Sequence, residues 1–232
     1  MLAIAGGKGG CGKTTTALGL AVALDGPTLV VDADADMPNL HAMAGVPRDP
    51  PAPDADSDPN RNPDPNWNPN SLGHRHPDHD GVRVCPAPAA SGEARRTAGG
   101  GRTDDGTTAR LDRVREAAPD AGTVLVDCPA GAGPDAAAPV RAADGVLLVA
   151  SACAPSLRDA AKTGATARAL GTPVVGAVLT RSRLSPASVE SLLGCPLLGV
   201  VPPVDPPVLD DARVGSAYRD VAVSLQHHKD II

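Results

Sequence analysis

Phenylalanine is absent from this 232-residue chain, and Trp67 and Tyr218 are its only large aromatic residues. A core without rings must be assembled from Ala, Val, Leu and Ile, each burying less area, so stability has to come from many small contacts. Lysine is scarce as well: Lys8, Lys13, Lys162 and Lys229 are the only four, and arginine supplies the remaining basic charge. No apolar run reaches the roughly 18 residues that a membrane-spanning helix needs. The start, Met1 to Ile4, carries neither a basic n-region nor a long apolar h-region, so a cytoplasmic location is expected. The five cysteines are odd in number and scattered without a C-x-x-C pair, which argues against a disulfide framework or a zinc ribbon and for small core residues. A net charge of −6 disfavours nonspecific DNA binding through counterion release, although a local Arg patch stays compatible with that average.

What is present is a repeated alternation of short β-type runs with helical stretches, the pattern of βαβ units and a mostly parallel, doubly wound α/β sheet flanked by helices. Strands are expected at 2–5, 28–31, 82–85, 123–126, 145–150, 174–179 and 197–200, several of them apolar on both faces as buried parallel strands are. Helices are expected at 13–24, 109–118, 156–170, 186–193 and 216–225. Ser185 before Pro186 reads as an N-cap with a first-turn proline, and Gly171 with Pro173 reads as a stop after Leu170. The length suits one domain over residues 1–232. Residues 46–80, crowded with Pro, Asp, Asn and His, break the rhythm and read as a flexible insertion; residues 91–108 read as a second loose stretch.

Residues 7–14 read G-K-G-G-C-G-K-T, matching G-x-x-x-x-G-K-[ST] between an apolar strand and a helix. In such a P-loop the backbone of Gly7, Gly9, Gly10, Cys11 and Gly12 wraps phosphate oxygens, and the helix N-terminus behind it favours the anion. Lys13 is expected to reach the β and γ phosphates, with Thr14 on Mg²⁺ and Thr15 beside it. Two of four lysines fall in this loop, where a compact ammonium fits and a planar guanidinium does not. The run V-V-D-A-D-A-D-M-P-N-L, residues 30–40, puts Asp32, Asp34 and Asp36 at the C-terminal edge of the sheet, where open α/β folds bind ligands. A further strand-end carboxylate, Asp127, opens D-C-P-A-G-A-G and is suited to hold a Mg²⁺-bound water; an Asp before Pro is also a common turn starter.

The octapeptide K-G-G-C-G-K-T-T resembles the deviant Walker A motif of the MinD and ParA ATPases, and D-C-P-A-G is similar to the second switch of the MinD-like branch. This resemblance implies a P-loop NTPase fold, ATP and Mg²⁺ as cofactors, and a slow ATPase that forms a homodimer in its ATP state and signals to a regulatory protein partner. It implies roles in cell division, chromosome partitioning or cell positioning; the alternatives within the superfamily are an iron-sulfur carrier ATPase or a non-hydrolysing nucleotide-binding module. By the resemblance Lys8 is the signature lysine that reaches across the dimer, the alternative being a solvated loop lysine. Asp34 positions the attacking water, Asp32 stands beside the metal with Thr14 and Asp127, and Asn39 is a polar contact of the first switch. Base recognition in the family uses an Asn-Arg pair and a proline loop. Here V-L-T-R sets Thr180 and Arg181 at the first place, and V-P-P-V with Pro202 and Pro203 at the second, so Thr180 departs from the family pattern.

His74, His76 and His79 with Asp78, Asp80 and Cys85 carry metal-donor atoms at short spacing, but the spacing fits no familiar site and a polar insertion favours solvation. The ending S-L-Q-H-H-K-D-I-I is too short and weakly basic for an amphipathic membrane anchor, so direct membrane attachment is not expected.

Overall fold

Successive side chains of a strand point to opposite faces, and in this chain that alternation sorts the apolar residues into two cores. Leu2 and Ile4 join one cluster and Ala3 and Ala5 the other, all on strand β1, Leu2–Ala5. In the computed structural model residues 1–7, 9–49, 72–88, 104–117, 122–131 and 133–226 are described. After β1 come α1 (Lys13–Ala23), β2 (Thr28–Asp32), α2 (Leu40–Met43), β3 (His74–Arg75), β4 (Val82–Cys85), α3 (Asp104–Ala117) and β5 (Thr123–Asp127). The second half runs α4 (Pro134–Ala142), β6 (Gly145–Ser151), α5 (Ala154–Ala169), β7 (Val174–Thr180), α6 (Ala187–Leu193), β8 (Leu197–Val201), a 3₁₀ turn (Val208–Asp210) and α7 (Ala212–Gln226).

The eight strands form one sheet in the order β3-β4-β2-β5-β1-β6-β7-β8, parallel except for the β3–β4 pair. This is the doubly covered α/β sheet that the alternation of elements predicts, with the fold class of a P-loop NTPase. One face packs Leu18 and Leu20 of α1 and Val214, Tyr218, Val221 and Leu225 of α7 on Leu2, Ile4, Val30, Leu147 and Val178. The other packs Leu111 and Val114 of α3, Ala160 and Ala167 of α5, and Val189 and Leu193 of α6 on Val31, Val126, Leu148 and Leu179. Tyr218 is the one large ring in these cores, 1% exposed, and Gly19 of α1 makes room for it: a Cβ there would lie 2.2 Å from the ring. Its hydroxyl stands 3.2 Å from that of Thr16, which keeps the buried phenol paired.

Several expectations need correction. Residues 72–80, read as part of a loose insertion, fold onto the sheet edge: His74 and Arg75 pair with Val84 and Arg83, and Arg83 donates to the carbonyls of Leu72 and Gly73 at 3.0 and 2.8 Å. Val46, at the other end of that stretch, is buried in the α1 core. Residues 50–71, with the rest of the expected insertion, lie outside the described residues, as do 91–103 of the second loose stretch. Residues 104–108 of that second stretch are helical, the opening turn of α3. Helix α6 starts at Ala187 with Pro186 in the cap position and no side-chain cap bond, so Ser185 does not cap it. Helices α2 and α4 were not expected. Helix α4 carries Pro139 inside it, and its burial of Ala138 and Val140 outweighs the missing backbone donor. Among the described residues no helix is long and apolar enough to cross a membrane.

Candidate functional site

The carboxyl ends of β1, β2, β5, β7 and β8 border one pocket of about 390 Å³. Its wall begins at the loop between β1 and α1, where Gly10 and Gly12 have φ of 78° and 98°, a left-handed turn that a side chain would strain. Gly12 is thereby the N-cap of α1 without any side-chain cap, leaving the first helical N–H groups free for a ligand anion. Gly7 is pinned at the start of the loop: a Cβ on it would stand 2.1 Å from the Asp159 Cβ of α5. Gly9, Gly10, Gly12, Lys13, Thr14 and Thr15 all line the pocket, and Lys13 is 8% exposed. Cys11 is buried behind the loop. Lys8 lies outside the described residues.

Opposite the loop stand the strand-end carboxylates. Asp32 and Asp127 are register partners at the ends of β2 and β5. Asp127 faces the helix: the Thr14 hydroxyl lies 2.6 Å from its Oδ2 and 3.1 Å from Asn39 Oδ1, and its single proton serves the nearer acceptor. Asp127 Oδ1 is buried without a hydrogen-bond partner. Burial, countered by the Thr14 hydrogen bond and reinforced by the neighbouring Asp32 charge, pushes the Asp127 carboxyl up to about 7. A buried, unpartnered carboxylate oxygen beside a threonine hydroxyl is a hard oxygen donor set facing an open pocket, and it fits a divalent cation of the Mg²⁺ type.

Asp32 has a different task. Fully buried, it accepts from the Asp34 N–H at 3.0 Å through Oδ1 and from the Leu40 N–H at 3.2 Å through Oδ2, so the loop 33–39 is tied at both ends to one carboxylate. Burial raises its pKa above the ordinary value, with the two backbone bonds acting against that rise. Asp32 does not line the pocket, whereas Asp34 and Asn39 do; Asp34 Oδ1 accepts from the Met37 N–H at 2.9 Å, which sets its orientation. Arg110 of α3 is a residue that sequence reasoning missed. It donates to the carbonyls of Asp32 at 2.6 Å and Pro86 at 2.7 Å, clamping the ends of β2 and β4 beneath this loop. No motif marks it, because it is one arginine among many.

The apolar part of the lining is Met37, Met43, Val201, Pro202, Val204, Val208 and the Tyr218 ring. Thr180 and Arg181 line the pocket too, but their polar atoms face the phosphate loop: Thr180 Oγ1 donates to the Cys11 carbonyl at 2.7 Å, with the Ala150 carbonyl 3.2 Å away. Arg181, at φ 52°, donates to the Gly10 carbonyl. Pro203 is exposed and outside the lining. The histidines do not form a metal site: His74 Nε2 meets the Asp49 carbonyl at 2.6 Å, the His76 and His79 rings meet at a tilt of 50° with centroids 4.9 Å apart, and no group of metal-ligating side chains is present among the described residues.

A strand, a glycine loop, a buried lysine and a carboxylate facing the helix N-terminus make a nucleotide-phosphate site, and comparison with known proteins decides the lineage. Residues 2–206 match the family described as the CobQ/CobB/MinD/ParA nucleotide binding domain. The chain belongs to this MinD/ParA family. An uncharacterized ATP-binding protein of Methanocaldococcus jannaschii is 33% identical over 224 residues, covering 93% of this chain and 78% of the relative. An iron-sulfur cluster carrier protein of Methanococcus maripaludis is 29% identical over 183 residues, covering 76% of this chain but 58% of its own length. Among solved structures, the cell division ATPase MinD of Pyrococcus furiosus superimposes with a TM-score of 0.74 at 26% identity, covering 98% of both chains.

Proposed function

We propose that this MinD/ParA-family protein is an ATP-binding, slowly ATP-hydrolysing switch that dimerises with MgATP and is read by a regulatory protein partner. The observation that carries the reading is Asp127 Oδ1, a buried and unpartnered carboxylate oxygen held beside the Thr14 hydroxyl at the foot of the glycine loop. A polar atom so placed costs stability unless a ligand completes it. Mg²⁺ held there by Thr14 and Asp127 supplies charge neutralisation to the β and γ phosphates. Lys13 and the loop amides orient the triphosphate. Asp34, fixed by the Met37 N–H, orients a water whose oxygen bonds to the γ phosphorus as the bond to the bridging oxygen breaks; ADP leaves with that electron pair, and the water's two protons stay on the phosphate, which departs as H₂PO₄⁻. Lys8 closes the dimer over the nucleotide of the second copy. The product of interest is the change of assembly, and phosphate release reverses it.

The iron-sulfur carriage named for one relative is the weaker reading. The five cysteines are spread over β4 and four separate loops, with Cys11, Cys128 and Cys195 buried, Cys85 half-buried and only Cys153 exposed.

The test is molar mass in solution with MgATP, MgADP and no nucleotide, for the wild type, Asp34→Ala and Lys8→Ala. The wild type is expected to dimerise transiently with MgATP, Asp34→Ala to remain dimeric, and Lys8→Ala to bind nucleotide as a monomer. A wild type whose mass ignores nucleotide would remove the switch and leave the binding site.

A further inference from the structure

We propose that Thr180 is a positioning residue for the glycine loop: its hydroxyl holds the peptide between Cys11 and Gly12 in the orientation that receives phosphate, and so sets the affinity of the site for phosphate whatever nucleoside is attached. The inference rests on the nucleotide-binding reading above. A loop with glycine at 9, 10 and 12 has little of its own to keep its amides in place. Gly12, at φ 98°, bears no Cβ to oppose a flip of the peptide before it. The Thr180 hydroxyl supplies that opposition: Oγ1 donates to the Cys11 carbonyl at 2.7 Å, in a buried bond between residues 169 positions apart. The Ala150 carbonyl, at 3.2 Å, is the more distant acceptor for the same proton. Carbonyl and N–H of a trans peptide point in opposite directions, so a Cys11 carbonyl held on β7 turns the Gly12 N–H away from that strand.

The support is stiff. Thr180 is 5% exposed and ends β7, an interior strand, opposite Ser151 of β6 and Val201 of β8. Gly12 lies directly against it: Thr180 Cγ2 would stand 3.2 Å from a Cβ at that position. Arg181 makes the same kind of tie one peptide earlier, donating to the Gly10 carbonyl and thereby orienting the Cys11 N–H. Two consecutive peptides of the loop are thus set by two consecutive residues, the last of β7 and the next. A loop held in the binding geometry before the ligand arrives adds no ordering cost to binding. Where it is not so held, the dissociation constant rises by the inverse of the fraction of molecules in that geometry. Valine in place of Thr180 has nearly the same shape but leaves the Cys11 carbonyl without this donor, so that fraction falls.

Titration calorimetry of the full chain with MgADP and with magnesium pyrophosphate tests this, because pyrophosphate has the phosphates without sugar or base. Thr180→Val is expected to weaken both by a common factor of about three to ten, the worth of one hydrogen bond, with the number of sites unchanged. Thr180→Ser, which keeps the hydroxyl, should bring both to within about twofold of the wild type. Thr180→Ala takes the place of Thr180→Val if the latter does not fold. Partial unfolding would instead lower the number of sites and leave their affinity alone. Unchanged affinities in Thr180→Val, a fall in site number only, or no recovery in Thr180→Ser would overturn the inference. A loss confined to MgADP would overturn it as well, by showing that the hydroxyl meets the nucleoside and not the loop. So would a wild type that binds MgADP without binding pyrophosphate, whose affinity would not come from the loop. A wild type that binds neither would overturn the nucleotide reading itself, and this inference with it.

Discussion

Asp127 carries its own control. In metal-free protein burial holds its carboxyl at about 7, against about 3.9 for an exposed aspartate. Between those two values the folded state keeps a proton that the unfolded state has released, so stability falls as pH rises from about 4 to 7 and stays low above. Below about 4 both states are protonated and the penalty vanishes. Asp127→Asn removes the ionisation while keeping a polar neighbour for Thr14. Urea unfolding in the presence of a chelator should find it more stable than the wild type at pH 8 by about 1–3 kcal/mol, and nearly equal at pH 4. Added MgADP should raise the wild-type midpoint and leave that of the variant close to unmoved. A variant less stable at both pH values would mean that the unpartnered oxygen is not a cost in the empty site. Such a residue could be read from D-C-P-A-G as a strand-end carboxylate. The spare oxygen could not, because it depends on which neighbours β2 and α1 bring.

At the scale of elements, α1 both opens the phosphate site and packs on α7, and Gly19 is where the two duties meet. Alanine in a helix interior is ordinarily better than glycine by up to about 1 kcal/mol. A Cβ at Gly19 would fall 2.2 Å from the Tyr218 ring, however, and overpacking costs about 1–3 kcal/mol. The steric term wins, so Gly19→Ala should lower the unfolding free energy by about 1–2 kcal/mol in urea titration. It should also weaken nucleotide binding, because Tyr218 lines the pocket. An unchanged midpoint would mean that α7 yields without cost.

The elements themselves were unevenly legible. Central strands such as β1 and β6 stand where uninterrupted apolar runs put them, since burial on both faces leaves no other reading. The two-residue β3 owes its existence to pairing with β4, and α2 to Leu40, whose N–H meets Asp32 and whose side chain is buried. Those are tertiary causes with no periodicity to announce them. Helix α3 begins at Asp104 although Gly106, Thr107 and Thr108 are weak helix formers, because Leu111 and Val114 anchor it in the core. Arg110 is invisible for a related reason: its partners are carbonyls of β2 and of the segment after β4, which only the fold brings under one guanidinium.

For the whole molecule the governing quantity is charge. Each chain carries −6, and bound MgATP adds further negative charge, so two copies approaching face to face repel before any contact forms. In the proposed dimer Lys8 would act over a few ångströms inside a closed interface, where salt screens little, whereas the repulsion acts across solvent at distances comparable to the Debye length of about 10 Å at 0.1 M. Raising ionic strength therefore weakens the long-range term and spares the short one. The MgATP dimer of Asp34→Ala, followed by analytical ultracentrifugation, is expected to tighten several-fold between roughly 0.05 and 0.5 M salt. The gain should come through faster association, since surface charge acts on encounter rates. Nucleotide binding to the monomer should move the other way, because the phosphates meet Lys13 and the loop amides from a solvated state that salt stabilises. A dimer that loosened with salt would instead place exposed ion pairs at its contact, and the scarcity of lysine in this chain would then leave its arginines to supply them.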